Sequence, residues 1–124
     1  MVRYDRYMCR LFAFSFPKHS TQELRVTCID AFRELARSGN VFSTSLPGHA
    51  DGWGIAVYKE DSSSPSVYKS LSSGADDRDF DIHSFIEEGK AESGIAHLRK
   101  KTVGELALPN THPFISGKYS FIHN

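Results

Sequence analysis

The apolar residues of this chain fall into short runs separated by turn-forming segments, and one stretch alone carries the spacing of a long helix: "STQELRVTCIDAFRELARSG", residues 20–39. Ser20 and Glu23 make the S-x-x-E pattern, in which each side chain satisfies the other residue's free backbone N–H. Leu24, Cys28, Phe32, Leu35 and Ala36 recur at helical spacing and predict the stripe that faces the core. Cys28 lies inside that stripe and reads as a packed core thiol, since free cysteine behaves as a small hydrophobe. Gly39 and Asn40 supply the stop.

The remaining apolar runs have strand length. "CRLFAFSF" (9–16) is nearly continuous and ends at Pro17, the pattern of a buried strand. "VFSTSLPGHADG" (41–52) is a loop, "WGIAVYK" (53–59) a strand, and "DSSSPS" (61–66) a polar turn into a second strand, "VYKSL" (67–71). Those two strands predict a hairpin. "SSGADDRD" (72–79) reads as a solvated surface loop, and "FDIHSFIEEGKA" (80–91) as a short helix with Ile82, Phe85 and Ile86 on one side. "SGIAHLRK" (93–100) is a strand, "LPNTHPF" (108–114) an irregular segment set by two prolines, and "KYSFIHN" (118–124) a last strand. Both element types are present without βαβ alternation, which predicts an α+β fold with a mainly antiparallel sheet.

Composition narrows the function classes. The 124 residues fit one domain or a piece of one. Lys+Arg and Asp+Glu are equal at 15 each, so the basic excess of a nucleic-acid surface is missing. No apolar run approaches the length that spans a bilayer, and "MVRYDRY" has no apolar core of a secretory signal. Two cysteines, Cys9 and Cys28, make no disulfide framework, and a reducing, cytoplasmic setting is the simplest expectation. Neither nucleic acid nor membrane is expected as a partner.

Several residues could do chemistry. His97 and Arg99 alternate with Leu98 and so point to one face of their strand. Arg99 there is suited to fork a carboxylate, or is a surface arginine on an edge strand. His112 precedes Pro113, which restricts it to extended backbone and predicts an imidazole held out from a rigid loop. Alone it reads equally as a structural histidine. Asn124 closes an apolar strand and reads alone as a turn residue.

Order and spacing join these features. Met8-Cys9-Arg10 opening an apolar strand, then "ADGWGIAVY", "GIAHLRKKTVGELALPNTHPF" and "YSFIHN", resembles the class II glutamine amidotransferase domain, closest to its compact Met-Cys-Arg, Asp-Gly-Trp-Gly subgroup. The resemblance runs from Met8 to Asn124 and is most specific from His97 to Phe114. It implies an N-terminal-nucleophile hydrolase-like αββα sandwich of antiparallel sheets, of which this chain is expected to carry the N-terminal half to two-thirds. It also implies that residues 1–8 are a leader or a mis-assigned start, and that the domain begins at Cys9. Family members expose this cysteine as residue one, and the chemical reason is its α-amine. With a pKa of about 7.7–8.0 the amine is partly unprotonated at neutral pH and can take the thiol proton.

Residue by residue, the resemblance implies Cys9 as the nucleophile that releases ammonia from glutamine through a thioester. Asn124 would be the oxyanion donor, a contribution of about 3–4 kcal/mol to the barrier. Arg99 and Thr102 would hold the substrate's α-carboxylate end, and His112 would line the glutamine pocket. Asp51, Gly52, Trp53 and Gly54 would shape the strand start and pocket wall, with Trp53 as packing. His97 belongs to the same structural motif. The family's next glycine and its acidic α-ammonium ligand would lie past Asn124, so the chain as given is expected to be inactive alone. A partner subunit, a missing C-terminal segment or a homo-oligomer is expected to complete it. The ligand is glutamine or a γ-glutamyl compound, with no cofactor and no metal.

Other classes remain open at this level. The chain could be a non-catalytic interaction module that retains the fold. A Cys-His-Asn protease reading of Cys9, a histidine and Asn124 lacks the local Cys-Gly-Ser-Cys-Trp signature. A metal site of His97, His112 and His123 matches no zinc spacing.

Overall fold

The computed structural model describes residues 9–38, 48–60, 62–86, 90–100 and 104–123. Along the chain run β1 (Arg10–Ser15), α1 (Gln22–Ser38), β2 (Trp53–Lys59), β3 (Ser66–Ser70), α2 (Ile82–Ile86), β4 (Ala91–Leu98), β5 (Phe114–Ser116) and β6 (Tyr119–Phe121). A 3-10 turn at Leu108–Asn110 leads into β5. Two antiparallel sheets result, one of four strands in the order β1-β4-β2-β3 and one made of the β5-β6 pair. This is the mixed α+β architecture with antiparallel sheets that the sequence predicts, and it is consistent with an N-terminal-nucleophile hydrolase-like fold.

Register assigns every strand residue to a face. Trp53 pairs with Leu98, Ile55 with Ala96 and Val57 with Gly94, while Phe12 lies opposite Ala96 and Phe14 opposite Gly94. These side chains share one face, because residues directly opposite in a ladder point the same way. Against them pack Ile29, Phe32 and Ala36 of α1 and Ile82 and Ile86 of α2, forming the apolar core. Phe12 stacks on Phe32 at 5.1 Å between centroids, and Phe80 meets Trp53 edge-on at 4.8 Å. The other face carries Gly54, Ala56 and Tyr58 beside His97 and Ile95. There the β5-β6 pair is tied down by Tyr58, whose hydroxyl donates to the Lys118 carbonyl at 2.7 Å and lies 3.0 Å from Ser120 Oγ.

Three local expectations are corrected. Helix α1 starts at Gln22 and is capped by Thr21, whose Oγ1 accepts the Leu24 N–H at 3.1 Å; Ser20 instead donates its backbone N–H to Pro17. The N-cap is one residue later than the S-x-x-E pattern places it. The buried stripe is shifted likewise, to Arg25, Ile29, Phe32 and Ala36, leaving Leu24 49% and Leu35 37% exposed and Cys28 half-buried. Both sets recur at helical spacing and share Phe32 and Ala36. Packing selects the one that brings Ile29 and Phe32 onto the sheet, and Arg25 is buried as a consequence. Third, the 72–79 loop is not all surface: Asp77 is buried, accepting from Trp53 Nε1 at 2.9 Å and from the Tyr68 hydroxyl at 2.8 Å. A buried indole N–H needs an acceptor, and this carboxylate supplies it. The helix stop at Gly39 and Asn40 lies outside the described residues.

Candidate active site

Three strand ends converge at one edge of the four-stranded sheet. Cys9 immediately precedes β1, Arg99 and Lys100 immediately follow β4, and Asp51 and Gly52 immediately precede β2. Antiparallel pairing of β1 with β4, and of β4 with β2, is what brings these distant positions together. The ladder extends past the strands: Asp51 N–H donates to the Arg99 carbonyl at 3.0 Å and Arg99 N–H to the Gly52 carbonyl at 2.9 Å. Gly52 takes φ +109°, and a side chain there would meet the Ser70 carbonyl at 3.0 Å, so the turn into β2 requires glycine.

The Cys9 thiol lies against the Lys100 backbone. Lys100 N–H donates to Sγ at 3.4 Å, and Sγ sits 3.6 Å from the Lys100 carbonyl as donor. Burial pushes the thiol above its ordinary value; the Lys100 amide and the Arg99 charge pull it down, and the Asp51 carboxylate pushes it up. The sulfur is thus a neutral thiol at neutral pH and needs a base to become a nucleophile.

Arg99 is buried, not on an edge strand, because β4 runs between β1 and β2. Its Nη1 donates to the Glu105 carbonyl at 3.0 Å, and the same carbonyl accepts from Asn110 Nδ2 at 3.1 Å. The segment from Glu105 to Asn110 therefore folds over the guanidinium, a link the sequence did not display. Thr111, fully buried, fixes the end of that turn by donating its hydroxyl to Ala107 at 3.0 Å.

His112 is packed inward and not held out from its loop. It sits between His97, at 4.2 Å between ring centroids, and Phe114, also at 4.2 Å, with His123 at 4.4 Å. Gly54 permits this. A β-carbon at that position would collide with the His112 carbonyl and lie 2.8 Å from Pro113 Cδ. His97 Nε2 is 3.1 Å from the His123 carbonyl; as donor there it leaves Nδ1 unprotonated, and that buried nitrogen has no hydrogen-bond partner among the described residues. Burial holds His97 down to about 3, with the charge of His112 adding to the effect and the hydrogen bond to the His123 carbonyl opposing it. Burial likewise holds His112 down to about 4, helped by the charges of His123, Lys69 and Arg99. Both imidazoles are neutral at pH 7.

The structure thus places Cys9, Asp51, Gly52 and Arg99 at one sheet edge, and Gly54, His97 and His112 on the adjoining non-helical face. Trp53 alternates to the helix side, where it is fully buried in the core. Thr102, Asn124 and Met8 lie outside the described residues. The three histidines pack ring against ring, and among the described residues no group of His, Cys, Asp or Glu is placed to hold a metal ion. No helix among them is long and apolar enough to cross a membrane.

Two comparisons bear on this arrangement. The model of a family described as "Glutamine amidotransferases class-II" matches residues 8–124. No curated protein matches the chain.

Proposed function

This chain belongs to the class II glutamine amidotransferases, and from that premise we propose that it takes ammonia from the side-chain amide of glutamine through a thioester on Cys9. The observation that carries the reading is the meeting of Cys9 with Arg99 and Asp51 at a single sheet edge, within the matched residues. As written, Cys9 follows Met8 and its nitrogen is an amide, which is no base. Removal of the residues before Cys9 frees an α-amine. That amine accepts the Sγ proton as sulfur attacks the amide carbon of glutamine, and the carbonyl electrons move to the oxygen.

Collapse of the tetrahedral intermediate breaks the carbon–nitrogen bond. The protonated α-amine gives its proton to the leaving nitrogen, and ammonia departs from an acyl-thioester. Water, deprotonated by the same amine, then hydrolyses the thioester to glutamate and restores the thiol. The neutral thiol described above suits this scheme, in which the base and not a lowered thiol pKa generates the nucleophile. Arg99 holds the α-carboxylate with Thr102, neutral His112 lines the pocket beside His97, and Asn124 donates to the oxyanion. Gly52 and Gly54 give the backbone room for these groups.

The test is turnover of glutamine to glutamate and ammonia by the full-length protein, read together with its N-terminal mass. A mature terminus at Cys9 with turnover is expected, and Cys9→Ser should reduce turnover by roughly 10³-fold or more with unchanged melting. Retained turnover in Cys9→Ser would remove the nucleophile assignment. Turnover of γ-glutamyl compounds in place of glutamine would keep the chemistry and change the substrate. Protein that keeps Met1 and turns over neither would leave an interaction module.

A further inference from the structure

At the end of the sheet opposite Cys9 lies a cavity of about 390 Å³, walled by Ser15, Arg25, Glu60, Glu92 and Ser93, with Lys18 beside them. Six residue steps along β1 separate Cys9 from Ser15, about 20 Å at strand rise, so this cavity is no part of the proposed glutamine site.

Arg25 is the anomaly there. It is 2% exposed, yet its Nε and Nη1 have no hydrogen-bond partner among the described residues. Among the described residues its guanidinium makes one hydrogen bond, from Nη2 to the Pro17 carbonyl at a long 3.5 Å, and it rests over the Phe16 ring at 5.7 Å. Buried charges in folded proteins are paired, because an ion taken out of water loses its hydration. Position makes the deficit larger. Arg25 lies in the first turn of the 17-residue α1, where the helix dipole disfavours a cation. An anion on the guanidinium would remedy both defects.

The cavity's charges say which anion. Arg25 and Lys18 oppose Glu60 and Glu92, so the two fixed cations are matched by two carboxylates that would repel a dianion. A small ligand carrying one carboxylate and one ammonium matches that pattern, and the volume lies within the range of small-molecule sites. We propose that this cavity is a second ligand site that takes a free α-amino acid as its zwitterion, the carboxylate on Arg25 and the ammonium on Glu60 and Glu92. Ser15 and Ser93 supply neutral hydroxyls at its wall.

The test uses the full chain, with L-alanine, acetate and inorganic phosphate as probes, read by calorimetric titration and by melting temperature. L-alanine is expected to bind and to raise the melting temperature with its concentration. That response should survive Arg99→Met, which disables the carboxylate contact proposed for the glutamine site. Arg25→Met should weaken alanine binding at least tenfold and, without ligand, melt no lower than the parent, because it removes an unpaired buried cation. Glu92→Gln should weaken alanine and spare acetate.

A response lost in Arg99→Met would place the binding at the other site and overturn the proposal. So would acetate or phosphate binding as tightly as alanine, or no binding by any probe. Unchanged alanine affinity in Arg25→Met would also overturn it, leaving Arg25 a structural residue. Should that chain fail to fold, the Glu92→Gln comparison of alanine with acetate decides in its place.

Discussion

The two faces of the four-stranded sheet are built from alternate residues of the same strands, yet they differ in kind. On the helix side, Trp53, Ile55, Ala96 and Leu98 meet Ile29 and Phe32 in an apolar core beside the buried Asp77 carboxylate, which accepts from Trp53 and Tyr68. On the other side, glycine stands at position 54, two buried histidines carry unpartnered Nδ1 atoms among the described residues, and a short hairpin is the cover. One face spends its side chains on burial, whereas the other leaves polar groups incompletely satisfied beside a thiol and a buried guanidinium. Incomplete satisfaction is expected where a ligand is to be bound, since ligand groups can supply the missing partners.

The comparison can be broken from the core side first. Trp53→Ala removes the largest buried side chain and one of the donors to the buried Asp77 carboxylate. It is expected to lower unfolding stability by about 3–5 kcal/mol in denaturant titration. A loss below about 1 kcal/mol would mean that this face does not dominate stability. Next comes Gly54→Ala, which thrusts a methyl into the His112 carbonyl. It should destabilise by about 1–3 kcal/mol and shift the His112 ring resonances, whereas unchanged histidine spectra would contradict the close seat of His112 on β2.

A third test separates the faces by pH. His97 and His112 have folded values below their ordinary 6.5, so the unfolded chain binds their protons first. Their contribution is complete above 6.5 and is lost as the pH falls toward about 4 for His112 and about 3 for His97. The loss should be on the order of 2 kcal/mol by pH 4.5, and His112→Gln should flatten the slope. Asp77 has the same sign in a lower window. Burial raises its value, but hydrogen bonds from Trp53, Tyr68 and the Asp79 amide outweigh that and hold it below the ordinary 3.8. Its contribution is therefore present above 3.8 and lost below. A melting temperature that is flat from pH 6.5 to 4.5 would refute the histidine account. The smallest effect belongs to Leu35→Ser on the outer surface of α1, expected within about 0.5 kcal/mol. A larger loss would restore the stripe that the sequence pattern predicts.

Much of the fold was legible because its cues are local. Short apolar runs of strand length mark β1, β2, β3 and β4, and the turn at 61–66 marks the β2-β3 hairpin. The sequence pattern also shows the last strand, although it is three residues long and pairs with β5, which the two prolines present as part of an irregular segment. Cys9, Arg99 and His112 stood out as chemical residues, but the partners that hold them did not. Lys100 acts through its backbone, Glu105 through its carbonyl, and Asn110 through an amide that looks like any turn residue. A backbone contact leaves no mark on residue type. The lone tryptophan was the one available cue to Asp77, since an indole N–H in a strand interior demands an acceptor.

What the sequence determined by itself was the set of elements, the family, and the residues capable of nucleophilic and carboxylate chemistry. These depend on periodicity, motif order and side-chain type, all of which are properties of neighbours along the chain. The tertiary structure decided which α1 register is buried, that Arg99 is buried at the end of a central strand, that His112 faces inward, and that Arg25 and Asp77 lie inside. Each of those depends on the approach of segments remote in sequence, where burial and dielectric are set by the packing partner and not by the residue.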